Sequence, residues 1–312
     1  MKIFSLNATR VLGAAIAAEL GVDLCAHEER DFADGEFKVR ALDDVSGERV
    51  AVCHALNGDR AQSPSDKLIR LLVLIGALKD AGAAEVVAVV PYLAYSRKDR
   101  RTKPGDPVTT RYVAGFFESA GADAVVTADV HDVAAFENAF RCRKVNVEAA
   151  ALFVEHFAAC IPDGQRVVVL SPDAGGMKRA IRFGEALGSR LDAPVGFALM
   201  EKQRSEGRVR GEAFGGDVAG ALVIVVDDMI STGGTLLRAA RAALERGAVG
   251  VHAAATHAVF SADAEEALLG SEIASVVVTD TIGGIDERFP ALRPKLTVLG
   301  SAPLFAAALR AL

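Results

Sequence analysis

The sequence predicts an α/β protein built as two similar, doubly wound domains with mainly parallel sheets. Three observations carry this reading. Short valine-rich runs such as Glu85 to Val90 and Leu222 to Val226 have the continuous hydrophobicity of strands buried on both faces of a parallel sheet. Segments with apolar residues at helical spacing alternate with these runs along the whole chain. The 312 residues are 51% hydrophobic, enough chain for two domains of ordinary size, each with its own core.

Taken in order, Lys2 to Leu6 reads as a first strand, and Ala14 to Leu20 as a small-residue helix stopped by Gly21. Phe32 to Val39 contains Asp-Gly between apolar residues, which reads as a hairpin. A strand at Arg49 to His54 precedes a helix at Asp66 to Ala81, in which Leu68, Leu71, Leu72, Ile75 and Leu78 share one face. The strand Glu85 to Val90 ends in Pro91 and the most charged segment of the chain, Ser96 to Pro107. A helix at Thr110 to Ser119 and a strand at Ala124 to Val130 complete the first half. In the second half, a helix at Glu148 to Ala159 precedes strands at Arg166 to Leu170 and Val195 to Met200. Residues Ser205 to Gly216 are polar and rich in glycine, as in a hairpin or lid. The strand Leu222 to Val226, a helix at Leu236 to Arg246 and strands at Val251 to Thr256 and Ser275 to Thr279 follow. The tail, Pro303 to Leu312, is a short apolar helix.

Composition excludes several classes. The formal net charge of -6 argues against a non-specific nucleic-acid binder. No apolar run reaches the roughly 18 residues of a membrane span. The first ten residues turn polar too soon for a signal peptide. The four cysteines, Cys25, Cys53, Cys142 and Cys160, form no C-x-x-C pair and read as reduced thiols of a cytoplasmic protein.

The stretch Leu222 to Thr235 is chemically the most specific. A buried strand runs into Asp227 and Asp228, then into Ser231, Thr232, Gly233, Gly234 and Thr235, and at once into a helix. Backbone N–H groups of a glycine-rich turn opening a helix form an anion site, to which hydroxyls add donors. Two carboxylates beside a phosphate repel it unless sugar hydroxyls or a divalent cation lie between. A phosphorylated ribose satisfies both ends. The order strand, carboxylate, paired glycines, helix recurs at Ser171-Pro172-Asp173-Ala174-Gly175-Gly176. Asp129 and His131, read as alternate residues at a strand end, could share a cation or a phosphate.

These motifs, with F-x-D-G-E at Phe32 to Glu36, P-Y-x-x-Y-x-R-x-D-R at Pro91 to Arg100 and K-x-R at Lys202 to Arg204, resemble the ribose-phosphate pyrophosphokinase (PRPP synthetase) family along nearly the whole chain. The central loop looks like the PRPP loop of the type I phosphoribosyltransferase fold. The resemblance implies two phosphoribosyltransferase-like domains, residues 1–143 on the ATP side and 144–302 with the ribose 5-phosphate loop, with the tail 303–312 packing back on the first. It implies transfer of the pyrophosphoryl group of ATP to the 1-hydroxyl of ribose 5-phosphate, giving PRPP and AMP. Carried over residue by residue, Phe32, Asp34, Gly35, Glu36, Arg97 and Lys98 would meet ATP, the first four in the active site of a neighbouring subunit, hence a homodimer or higher assembly. His131 and Asp173, with Asp129 close by, would bind Mg2+. Asp227, Asp228, Ser231, Thr232, Gly233, Gly234, Thr235 and Arg204 would hold ribose 5-phosphate, with Lys202 and Arg204 acting on the transferring phosphates. At the level of the residues two other readings remain open: a phosphoribosyltransferase that consumes PRPP, and a non-catalytic regulatory or sensor protein.

Overall fold

Uninterrupted runs of valine and alanine become the central strands of two sheets. The computed structural model describes residues 1–205 and 208–312, and the side chains of residues 201–212 lie outside the description. The chain divides into one unit of Met1–Glu148, Thr281–Gly283 and Gly300–Leu312, and a second of Ala149–Asp280 and Gly284–Leu299.

The first unit contains β1 (Lys2–Ser5), α1 (Arg10–Leu20), β2 (His27–Asp31), β3 (Phe37–Ala41), β4 (Arg49–Cys53), α2 (Pro64–Asp80), β5 (Glu85–Val90), α3 (Thr109–Ser119), β6 (Ala124–Ala128), α4 (Val133–Ala139) and β7 (Arg143–Val147). Its sheet has the order β1-β4-β5-β6-β7, with every neighbouring pair parallel. Alternate strand residues Ile3, Ala51, Cys53, Val87, Val89, Ala124 and Val126 form one buried face, against Leu12 and Ile16 of α1 and Phe305 and Leu309 near the C-terminus. The strands β2 and β3 form a separate antiparallel hairpin. Arg70 of α2 ties it down, pairing with Asp31 and lying 4.4 Å over the Phe37 ring. The helix α2 begins earlier than its apolar periodicity predicts, because Ser63 and Asp66 form a capping box and Pro64 takes the first helical position.

The second unit contains α5 (Ala150–Cys160), β8 (Val167–Ser171), α6 (Met177–Leu191), β9 (Val195–Ser205), β10 (Arg208–Gly215), β11 (Leu222–Ile230), α7 (Gly234–Leu244), β12 (Gly250–Ala258), α8 (Ala264–Leu269), β13 (Ile273–Thr279), α9 (Ile285–Arg288) and β14 (Leu296–Leu299). The final helix, α10 (Ala302–Ala311), belongs to the first unit and packs on α1. The order in the second sheet is β10-β9-β8-β11-β12-β13-β14, parallel except for the β9–β10 pair. From β8 the chain builds outward to β9 and β10, then returns to place β11 on the other side of β8. The strand order therefore reverses between β8 and β11, and such a reversal opens a crevice at the carboxyl ends of the two strands.

Two expectations are corrected. The strand read as Leu222 to Val226 continues to Ile230, so both aspartates lie inside it. The equally long β12 sustains the ladder, pairing Asp227 with Ala255 and Ile230 with Ala258. Asp129 is not on a strand: β6 stops at Ala128, and Asp129 has φ +34°, so strand alternation does not relate it to His131. The Asp129 and Val130 amides donate to Val147 O and Asn146 Oδ1 instead. The edge strands β7 and β14 escaped sequence reading because neither has a continuous buried run. No helix among the described residues is long and apolar enough to cross a membrane.

Phe305 is fully buried in the face shared by α1 and α10. Truncation by Phe305→Ala is expected to cost about 3 kcal/mol or more of stability, read as a lower urea midpoint at an unchanged slope. A loss under about 0.5 kcal/mol, the size of an ordinary surface substitution, would remove α10 from the folded core.

Candidate functional site

The two glycine-bearing motifs of the second unit sit at the ends of β8 and β11, the strands that flank the reversal. After β11 the chain turns through Ser231 and Thr232 into Gly233, whose φ of +77° is costly for any residue with a Cβ. Gly233 is the N-cap of α7 and supplies no side-chain cap. The Gly234 amide meets Thr232 Oγ1 at 3.3 Å. The first-turn amides of α7, the positive end of its dipole and the hydroxyls of Ser231, Thr232 and Thr235 together make a cradle suited to a phosphate.

Beside this cradle lie the carboxylates. Asp228 is buried, with 3% exposure. Asp227 Oδ1 accepts from the Asp228 amide at 2.8 Å. Arg179, in the first turn of α6, places Nη1 3.8 Å from Asp227 Oδ1 and 3.7 Å from Asp228 Oδ1. Burial pushes the Asp227 carboxyl well above the usual carboxylate range, and the neighbouring Asp228 charge adds to this; Arg179 acts in the opposite direction. A pair held this way is arranged to gain a partner with hydroxyl donors or positive charge.

The turn from β8 into α6 supplies Asp173. Its Oδ1 accepts from the Gly176 amide at 3.0 Å, and its carbonyl accepts from Ser171 Oγ at 2.7 Å. A Cβ on Gly176 would stand 3.0 Å from Ser171 Oγ, so glycine lets this turn close. The Asp173 side chain is exposed. Sequence reasoning quoted Arg179 within its motif and gave it no role. The usable signal was an arginine one helical turn after paired glycines, in the helix that follows the strand neighbouring the one that bears Asp-Asp.

In the first unit, β5 runs into the charged loop. Tyr95 has φ +64°, and its hydroxyl lies 2.6 Å from Ser65 Oγ. Thr109 Oγ1 donates to Tyr95 O at 3.0 Å, which fixes the loop to the start of α3. Arg97 is exposed, whereas Lys98 is paired to Asp106 at 2.7 Å. Arg100 bonds Asp99 at 2.9 Å and lies 3.5 Å from Asp132. Asp129 follows β6, half-buried, and His131 is exposed beyond it. Phe32, Asp34, Gly35 and Glu36 form the exposed turn of the β2–β3 hairpin, closed by a 2.8 Å bond from Phe32 N to Glu36 O. Gly35, at φ +93°, and a 3.1 Å bond from Glu36 N to Asp34 Oδ1 shape its tip.

The expected catalytic side chains Lys202 and Arg204 lie outside the described residues. Among the described residues, no group of three or more His, Cys, Asp or Glu side chains converges as a metal cage.

These features define an α/β protein that sets a glycine-rich helix N-terminus and a carboxylate pair at a strand-order reversal. Residues 1–121 match the family model described as the N-terminal domain of ribose phosphate pyrophosphokinase, and residues 210–310 match that of a phosphoribosyl synthetase-associated domain. The chain is 39% identical over 311 residues to the ribose-phosphate pyrophosphokinase of Caldanaerobacter subterraneus subsp. tengcongensis, covering 99% of this chain and 93% of the relative. It is 36% identical over 312 residues to the ribose-phosphate pyrophosphokinase of Hyphomonas neptunium, covering 99% and 96%. The crystal structure of phosphoribosylpyrophosphate synthetase from Mycobacterium smegmatis superimposes with a TM-score of 0.87 at 34% identity, covering 99% of this chain and 97% of that one. The chain belongs to the ribose-phosphate pyrophosphokinase family.

The raised Asp227 carboxyl has a thermodynamic consequence. A carboxyl of this kind favours the fold below its unfolded pKa, near ~4, and that contribution is lost as pH rises through its higher folded value. Asp227→Asn is therefore expected to melt above the parent at pH 7.5, with the gap narrowing toward pH 4. A gap that stays constant across this range, or widens toward pH 4, would contradict the assignment.

Proposed function

We infer that the protein transfers the β,γ-pyrophosphoryl group of ATP to the 1-hydroxyl of ribose 5-phosphate, giving PRPP and AMP. One observation carries the reading: a phosphate cradle and a carboxylate pair stand together at the β8/β11 reversal in a chain related to pyrophosphokinases over its whole length.

The cradle of Ser231, Thr232, Gly233, Gly234 and Thr235 takes the 5-phosphate, and Asp227 and Asp228 accept hydrogen bonds from ribose hydroxyls. This leaves the 1-hydroxyl to react. Its oxygen forms a bond to the β-phosphorus of ATP as the bond between that phosphorus and the α,β-bridging oxygen breaks. AMP leaves with the bridging oxygen, and the hydroxyl proton passes to solvent. Such a transfer needs positioning and neutralisation of spread charge more than covalent help. Lys202 and Arg204 supply that neutralisation, the first as a compact charge and the second as a bidentate fork. Arg97 meets the nucleotide in the first unit.

Asp129 and His131 in the first unit, and separately Asp173 in the second, would hold magnesium, which would supply neutralisation of phosphate charge. The carboxylates are the hard oxygen donors that magnesium prefers, and the imidazole of His131 is a softer addition. The exposed turn of Phe32, Asp34, Gly35 and Glu36 carries an aromatic ring 41% exposed at its tip, which supports a role toward a neighbouring subunit and a homodimer at least. Free cysteines and bacterial relatives support a cytoplasmic setting, where PRPP serves nucleotide and amino-acid synthesis.

The test is to incubate the protein with ribose 5-phosphate, ATP and magnesium and to separate the nucleotides. AMP forming in step with PRPP is expected; ADP would make the reaction an ordinary kinase step and overturn this reading. Lys202→Ala or Arg204→Ala should lower kcat by roughly 10²-fold or more, as for other lost electrostatic stabilisers. A change confined to KM would remove them from the chemistry.

A further inference from the structure

We propose that Lys98 is a positioning residue and not a nucleotide ligand: Asp106 closes the charged loop on it and leaves Arg97 to meet the phosphates. The proposal rests on the reading that this loop binds ATP, and it deepens that reading.

The loop between β5 and α3 is fastened at both ends of Lys98. Asp106 Oδ2 accepts from Lys98 Nζ at 2.7 Å, from Thr102 Oγ1 at 2.7 Å, and from the amides of Thr102 and Lys103 at 3.0 Å each. Lys98 Nζ also donates to Thr102 Oγ1 at 3.1 Å. The Lys98 carbonyl accepts from Thr109 Oγ1 at 3.4 Å and from the Thr110 amide at 3.5 Å, at the start of α3. One carboxylate oxygen thus gathers the side chain of residue 98 and the backbone of residues 102 and 103 into a ring. The bond from Lys98 first, and then those from Thr102, hold the Asp106 carboxyl well below the usual range, so this carboxylate stays ionised throughout the neutral range. Arg100 is compensated in the same manner by Asp99 and Asp132. Among the described residues, Arg97 and Arg101 form no ion pair, and both are exposed. Of the five cations of the loop, Lys98 and Arg100 are therefore already paired, while Arg97, Arg101 and the exposed Lys103 are left for a ligand. An ammonium in direct charge-assisted contact with its own carboxylate is a poor candidate to neutralise a triphosphate as well.

The experiment compares Asp106→Asn, Lys98→Met and the double variant Lys98→Met/Asp106→Asn, with Arg97→Ala as the control on the ATP reading. Each single variant is expected to raise KM for ATP by roughly 10-fold, the size of one lost charged hydrogen bond, and to leave KM for ribose 5-phosphate unchanged. The double variant should raise KM for ATP no further than either single one, because each single change already breaks the same pair. Trypsin provides a readout without nucleotide: cleavage after Arg101 should quicken in both single variants, and no further in the double variant. A fall in KM for ATP in Asp106→Asn, or a double variant in which the two single effects multiply, would show Lys98 to be a phosphate ligand and overturn the proposal. If Arg97→Ala left KM for ATP unchanged while the proteolysis pattern held, the ring would stand and the nucleotide reading of the loop would fail.

Discussion

Two adjacent carboxylates inside a buried strand repel each other, burial holds the Asp227 carboxyl against ionisation, and much of the second unit is arranged around that constraint. Asp227 and Asp228 lie within β11, where the ladder to β12 denies them the freedom of a loop. Water cannot screen Asp228, which is 3% exposed. Arg179 is the cation that moderates the pair, and it reaches both because α6 starts at the end of β8, the strand next to β11. Remove the reversal of strand order and the arginine and the aspartates would belong to different neighbourhoods. The topology, more than any single residue, makes the carboxylates tolerable while leaving them eager for hydroxyl donors.

The phosphate cradle complements that arrangement. A helix N-terminus without a side-chain cap has unsatisfied amides and a positive dipole end. In α7 these amides follow Gly233, whose left-handed conformation turns the chain sharply from strand to helix. An anion at one end and a hydroxyl-rich body at the other satisfies both groups at once. The first unit solves a different problem. Its loop is dense in cations, and its own carboxylates compensate some of them, so the charge left for a nucleotide is fewer and better placed than the sequence count implies.

The buried parallel strands were legible because both faces are apolar, as in β5 and β6, and no alternation has to be detected. The motif from Asp227 to Thr235 was legible because its order is rare and each residue type has a physical task. Other features depend on tertiary context. The edge strands β7 and β14 are half-buried and carry no continuous apolar signature. Nothing local says that β11 runs on through two aspartates, since the pairing with β12 decides that. The relation of Asp129 to His131 was misjudged because a positive φ at Asp129 ends the strand rule one residue early. Arg179 and Asp106 act through partners 48 and 8 residues away, and only the fold makes those partners visible.

The central claim is that the cradle and carboxylates of the second unit bind the phosphorylated ribose without help from nucleotide. Calorimetric titration of ribose 5-phosphate in the absence of ATP tests it directly, with Thr235→Val and Arg97→Ala beside the parent. The account predicts that Thr235→Val weakens binding by roughly 10-fold or more, as for a lost hydrogen bond to a charged group, while Arg97→Ala binds as the parent does. Undiminished binding in Thr235→Val, or a loss confined to Arg97→Ala, would place the sugar phosphate elsewhere and contradict the account.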